Sequence, residues 1–163
     1  MLPHLGSAYN LARWLTRDER DAEDVVQEAF LRAFRFFPAF RGTDARPWLL
    51  AIVRNACWTL LRASDPPGAG VPLDEAGEAA DGAAGADEEL VRRADAGRLR
   101  AALDALPAEY REVLVLRELE ELSYREIALV ASIPIGTVMS RLARGRRRLA
   151  SALGAPVPGE ALR

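Results

Sequence analysis

Five arginines fall within eight residues near the end of the chain: Arg141, Arg144, Arg146, Arg147 and Arg148. A guanidinium is a permanent cation whose planar fork of donors fits phosphate oxygens and the major-groove edge of guanine. Thr137 and Ser140 stand just ahead of them, and their hydroxyls can bond to base edges. A second set lies earlier: Phe40, Arg41, Trp48, Arg54, Asn55, Trp58 and Arg62. It offers aromatic faces on which bases stack, an amide for base edges and cations for phosphates, the means by which unpaired strands are held. Other chemistry is poorly supplied. His4 is the only His and Cys57 the only Cys. No nucleophile–His pair, metal-ligand cluster or phosphate loop has sequence support, so the chain is not expected to be an enzyme or to carry a metal or cofactor.

The elements that must position the arginines can be read from "LSYREIALVASIPIGTVMSRLARGRRRL", Leu122 to Leu149. Ser123 with Glu126 three residues on is a capping-box pattern. The helix it opens carries Ile127, Ala128 and Ala131, and small Ala128 permits close approach of a second helix. Pro134 ends the first helix and starts the second near Ile135. The second helix sets Val138, Leu142, Gly145 and Leu149 on one face. Thr137, Ser140, Arg141, Arg144, Arg147 and Arg148 lie on the other. Helix, tight turn and helix with a polar, basic outer face is the arrangement that enters the major groove. Its early residues reach base edges, and Arg147 and Arg148 sit nearer the phosphate backbone. A solvated surface helix, a membrane-surface helix and a partner-binding helix are also compatible with the arginines alone. The turn, Ala128 and the Thr137/Ser140/Arg141/Arg144 stripe favour DNA.

The rest of the chain reads as helical. Val26, Phe30, Ala33 and Phe37 form one stripe. Leu49, Ile52, Val53, Ala56 and Leu60 form another, in a helix begun by Pro47. Val113, Leu116 and Leu119 are expected inward. Charge divides the chain into three: residues 1–64 are net about +2, residues 65–89 hold eight acids and no base, and residues 90–163 are net about +4. The middle stretch is rich in Gly, Ala, Pro and acid and cannot bury enough apolar surface to offset its ordering entropy, so it reads as a flexible tether. All 22 basic residues are Arg, and the net charge is −2. No apolar run is long enough to span a membrane, and the start lacks a leader-like pattern. One cysteine forms no intrachain disulfide, which fits a reducing cytoplasm. Cys57 lies in an apolar-faced helix, where a thiol is usually inert; a redox-sensing role is the alternative.

The Leu122–Leu149 segment resembles region four of the extracytoplasmic-function sigma factors, a branch of the sigma-70 family. "DAEDVVQEAFLRAFRFFPAFRG" followed by "RPWLLAIVRNACWTLLR" resembles their region two. Two motifs in the family's order, across a variable linker, cover most of residues 9–62 and 106–153. The resemblance implies an all-α chain of two small helical domains. Region two would take residues 1–64, a flexible acidic linker 65–97, region four 98–154 and a disordered tail 155–163. It implies a protein without catalytic chemistry that binds core RNA polymerase, through its clamp helices and flap, and directs it to promoter DNA. Asp24, Gln27 and Glu28 match the surface set against the clamp helices. Phe40, Arg41, Trp48, Arg54, Asn55, Trp58 and Arg62 match the region that captures the opened −10 element, with Trp48 as readily a core residue and Trp58 the better candidate for exposure. Thr137, Ser140, Arg141, Arg144, Arg147 and Arg148 would serve the −35 element. The resemblance further implies control by an anti-sigma factor and a linker that threads a basic polymerase channel.

The chain departs from the family pattern in places. Thr59 stands where Asp is frequent, and Met139 replaces a cation. Ser132 occupies a turn position often held by Gly, which would strain it if φ is positive. Gly145 weakens its helix by about 1 kcal/mol against Ala. The chain also begins unusually close to region two, so an N-terminal turn is expected to be missing. Two other readings stand beside the resemblance: a stand-alone helix-turn-helix regulator bound to an operator, and an adaptor that binds only proteins.

Overall fold

A computed structural model describes residues 2–64 and 88–154. The tether at 65–87 and the tail at 155–163 lie outside the described residues, and so does the expectation that the linker threads a channel. The described chain is all helical. After a 3-10 turn at Leu2–His4 come α1 (Leu5–Thr16), α2 (Glu19–Phe36) and α3 (Ala45–Ser64). The second half holds α4 (Glu88–Ala105), α5 (Ala108–Leu114), α6 (Tyr124–Ala131) and α7 (Ile135–Ala152).

In the first unit α1, α2 and α3 pack mutually. Asp18 starts α2 by accepting the Asp21 N–H at 3.0 Å, and Glu19 and Asp21 complement the helix dipole in its first turn. The buried stripe of α2 is Ala22, Val25, Val26, Ala29 and Ala33, so three alanines let its neighbours approach closely. Phe37 does not continue that stripe. α2 has already ended there, and Phe37 lies half-exposed in a 3-10 turn, its ring stacked on Phe40 at 6.2 Å between centroids.

The second unit begins earlier than its composition suggested. Residues 88–97 are helical, part of α4, and not linker. The Ala, Arg and Leu residues that dominate this helix are good helix formers. α5 then widens into a π-helical turn at Val115–Leu119. The extra residue in that turn rotates the succeeding positions about the helix axis. Leu119, expected inward, is therefore exposed, and Glu120 is buried in its place.

The helix-turn-helix forms as expected. The Ser123 Oγ accepts the Glu126 N–H at 3.1 Å and the Glu126 carboxylate accepts the Ser123 N–H at 3.5 Å. α6 ends at Ser132 with φ 54°, the left-handed value usually left to Gly. The chain turns by 99° and restarts behind Pro134. Gly145 explains itself in the packing: a Cβ there would stand 3.2 Å from a Leu114 methyl and 3.3 Å from the Tyr110 Cβ. The helix accepts a weak former so that α5 and α7 can touch. The two units are not separate in space. α1 packs on α5, α3 packs on α6, and one apolar cluster runs from Leu11 and Val53 to Ile127 and Leu142.

Candidate nucleic-acid interface

At the start of α3, three aromatic rings gather. Trp48 lies 4.9 Å from Phe40 and 6.1 Å from Phe37 between centroids. Gly42 leaves room beside them: a Cβ there would stand 2.7 Å from the Phe40 ring, which would have to shift. Trp48 is half-buried in this cluster, so it packs while keeping part of its ring in solvent. Arg41 is exposed and donates to the Pro38 carbonyl at 2.8 Å.

One helical face further along α3 carries Arg54, Asn55, Trp58 and Arg62. The Trp58 ring has the Arg54 guanidinium 5.1 Å from its centroid and that of Arg62 5.9 Å away. Cations over an indole attract its negative π-face and fix the ring. Asn55 is exposed beside them. Trp58 itself is half-buried, and its exposure is less than the sequence suggested, because a side chain from the other unit covers its edge. The Trp58 indole N–H points at the Glu112 carboxylate, 3.3 Å away, and the Arg54 Nε donates to the same oxygen.

Sequence reasoning singled out Arg54 and Trp58 but not Glu112, Arg111, Glu120 or Arg46. Only three charged or polar side chains are buried among the described residues, namely Arg111, Glu112 and Glu120. All three belong to the second unit, and all three reach into the first. Arg111 donates to the Trp14 carbonyl at 2.7 Å and the Leu15 carbonyl at 3.3 Å, the otherwise unpaired carbonyls at the negative end of α1. Burial, then the nearby Arg17 charge, pushes its pKa down to about 10, which still leaves it charged at neutral pH. Glu120 accepts from Asn10 at 2.8 Å and from Arg46 at 2.7 Å. Burial works to raise its pKa, but the bonds from Asn10, Ser7 and Arg46 outweigh it and hold the carboxyl below the usual range. Glu112 goes the other way. Burial raises it more than the Arg54 and Trp58 bonds lower it, and its Oε2 has no hydrogen-bond partner among the described residues. The available signal was helical phase: Glu112 precedes Leu116 by four residues and so shares its inward face.

The basic helix α7 shows two kinds of arginine. Arg146 is tied to Glu118 at 2.7 Å, Arg141 lies 3.8 Å from Glu109, and Arg148 stacks over the Tyr110 ring at 4.9 Å. Arg144 and Arg147 are exposed with no such attachment. Ser140 is exposed and Thr137 half-exposed, so the predicted stripe faces outward as a set. On α2, Asp24 and Gln27 line an open groove with Leu5, Tyr9, Leu31 and Phe34. Leu31 and Phe34 are 70% and 62% exposed, an apolar surface with no partner among the described residues. Glu28 stands outside this groove, paired with Arg32 at 2.6 Å.

Comparison with known proteins agrees with this division. The family described as sigma-70 region 2 matches residues 2–66, and that described as sigma-70, region 4 matches residues 96–149. The chain is 34% identical over 150 residues to the ECF RNA polymerase sigma factor SigE of Mycolicibacterium smegmatis, covering 90% of this chain and 57% of that one. It is 36% identical over 137 residues to the ECF RNA polymerase sigma-E factor of Escherichia coli K12, covering 79% and 72%. Among solved structures, the sigma factor RpoE of Bartonella quintana, in complex with the anti-sigma factor NepR, superposes with a TM-score of 0.71 at 26% identity, covering 94% of this chain and 93% of that one.

Proposed function

The chain belongs to the extracytoplasmic-function branch of the sigma-70 family, a family of non-enzymatic initiation factors, and on that premise we propose that it binds core RNA polymerase and directs it to a specific set of promoters, under the control of an anti-sigma factor. One observation carries the reading. A single chain bears two surfaces of different chemistry, an aromatic and cationic face on α3 of the kind that suits an unpaired strand and a basic helix α7 of the kind that suits a duplex. A stand-alone operator-binding regulator has no use for the first.

In this reading Asp24, Gln27 and Glu28, with the apolar groove beside them, meet the polymerase clamp. Phe40, Arg41, Trp48, Arg54, Asn55, Trp58 and Arg62 hold the opened −10 strand. Thr137, Ser140, Arg141, Arg144, Arg147 and Arg148 face the −35 duplex. The domain limits are 1–64 for the first unit and, with α4 included, 88–154 for the second. No single helix among the described residues is long and apolar enough to cross a membrane, and the cytoplasm is the compartment that holds the proposed partners. The test is transcription in vitro with core polymerase and no other factor, with permanganate footprinting of the bubble. Trp58→Ala should cost about 1–3 kcal/mol of strand capture. A chain that supports no promoter-specific start with any core enzyme, yet binds duplex DNA alone as a dimer, would overturn the proposal.

A further inference from the structure

The arginines and hydroxyls do not account for the whole outer surface of α7. Ile135, Met139 and Ala143 follow one another at spacings of four and form one row along the helix. Ile135 is 43% exposed, Met139 is 54% exposed, and Ala143 is exposed beside them. The core takes Val138, Leu142 and Gly145 from this helix and has no use for the row. The cation that follows it, Arg146, is tied to Glu118 at 2.7 Å. The row is therefore apolar and carries no free charge, yet it lies next to Ser140, Arg144 and Arg147, all exposed. We propose that Met139, flanked by Ile135 and Ala143, reads the C5-methyl group of a thymine in the −35 duplex, so that α7 specifies an A·T pair by apolar contact beside the base pair that Arg144 reads. The proposal rests on the duplex-binding reading of α7 given above.

Single apolar residues on a surface are ordinary, but a continuous apolar row rimmed by polar groups marks a binding surface. The rim decides what binds. Arg144 and Arg147 are exposed cations, and they suit a polyanion. Among the groups that a duplex shows in its major groove, the thymine methyl is the one that an apolar side chain recognises. Met is fitted to that contact, because its unbranched, polarizable thioether adapts to an irregular surface. Met139 and Arg144 stand about 7.5 Å apart along the helix axis, or about two base-pair steps of DNA. The two side chains therefore reach different base pairs of one groove.

The experiment assembles the full chain with core polymerase and selects a −35 sequence from promoter fragments randomised there. Each thymine of the selected sequence is then replaced, one at a time, by deoxyuridine, which pairs alike and lacks the methyl group. Competition anisotropy measures affinity. With the wild-type chain one replacement should weaken binding about fourfold, the worth of one buried methylene-sized group. Met139→Ala should weaken the thymine fragment, abolish the difference between thymine and uracil at that position, and leave the salt dependence unchanged. Met139→Arg should abolish the same difference and steepen the slope of log affinity against log salt by about 0.9. Met139 is exposed, so both variants keep the core intact. A wild-type chain indifferent to every methyl, or a methyl effect that survives Met139→Ala, overturns the proposal. A selection that returns no preferred −35 sequence overturns it differently, by placing the fault in the duplex reading of α7 on which it depends.

Discussion

The sharpest consequence of the structure concerns which of the five clustered arginines read DNA. Arg146 and Arg148 are engaged within the chain, by Glu118 and by the Tyr110 ring, and Arg141 stands near Glu109. Arg144 and Arg147 are exposed and unattached. Arg144 lies midway along α7, on the same side as Ser140 and Arg141. A bidentate contact to guanine there is worth about 1–3 kcal/mol of discrimination, or roughly 5- to 150-fold in affinity. A phosphate contact discriminates nothing, but each adds about 0.9 to the slope of log affinity against log salt. Arg144→Ala in the full chain should therefore weaken a selected −35 duplex by that factor and a scrambled one far less. Arg147→Ala should weaken both alike and flatten the salt slope by about 0.9. Arg148→Ala should change the slope less, because its guanidinium must first leave Tyr110. Fluorescence anisotropy at several salt concentrations on both duplexes measures all three. Equal losses on both duplexes for every arginine would refute base reading and leave the cluster an electrostatic anchor. A full slope change for Arg148 would refute the distinction between free and engaged arginines.

Replacing Asp24, Gln27 and Glu28 together by Ala should leave circular dichroism intact, since all three are exposed and the Glu28–Arg32 pair is a surface pair worth about 0.3–0.5 kcal/mol; co-purification with core polymerase should be lost, and wild-type recovery would contradict the assignment. Ser132→Gly should raise stability by about 1 kcal/mol by relieving the positive φ, read from the urea midpoint. Gly145→Ala should lower it, because crowding against Tyr110 and Leu114, about 1–3 kcal/mol, exceeds the propensity gain of about 1 kcal/mol; a stabilised variant would show that α7 can shift freely. Burial, followed by the Glu112 charge, pushes the Cys57 thiol up to about 12. At pH 8 it should resist a thiol reagent until denaturant is added, and the stability held by the neutral thiol should fall as pH rises past its ordinary value of 9.0. Rapid labelling in native buffer would reopen the redox role.

Much of each element was legible because its signals are local. The Ser123–Glu126 capping box, the break at Pro134 and the strain at Ser132 each depend on residues within a few positions of one another, and each appears where expected. The apolar face of α7 follows from spacing alone. Leu119 failed because its position depends on a π-helical turn, and no residue in "VLREL" announces one. Phe37 failed because the helix ended one residue sooner than the stripe required. The start of α4 is hidden by its neighbourhood, because Glu88 and Glu89 close an acidic run and read as part of it. The junction was the least legible part, since Arg46 pairs with Glu120 across 74 residues of sequence and Arg54 with Glu112 across 58. A tether in sequence says nothing of whether the units it joins also touch.

That junction combines an apolar seam with buried charge, and the charge is not what the seam requires. Replacing a buried ion pair by well-packed apolar residues is often neutral or stabilising. Leu or Met at 46, 54, 112 and 120 should therefore hold the two units together as well or better. The chain is net acidic, yet its charge is segregated along the sequence. The first unit contributes cations on α3 and the second contributes cations on α7, and Glu120 and Glu112 of the second unit pair with Arg46 and Arg54 of the first.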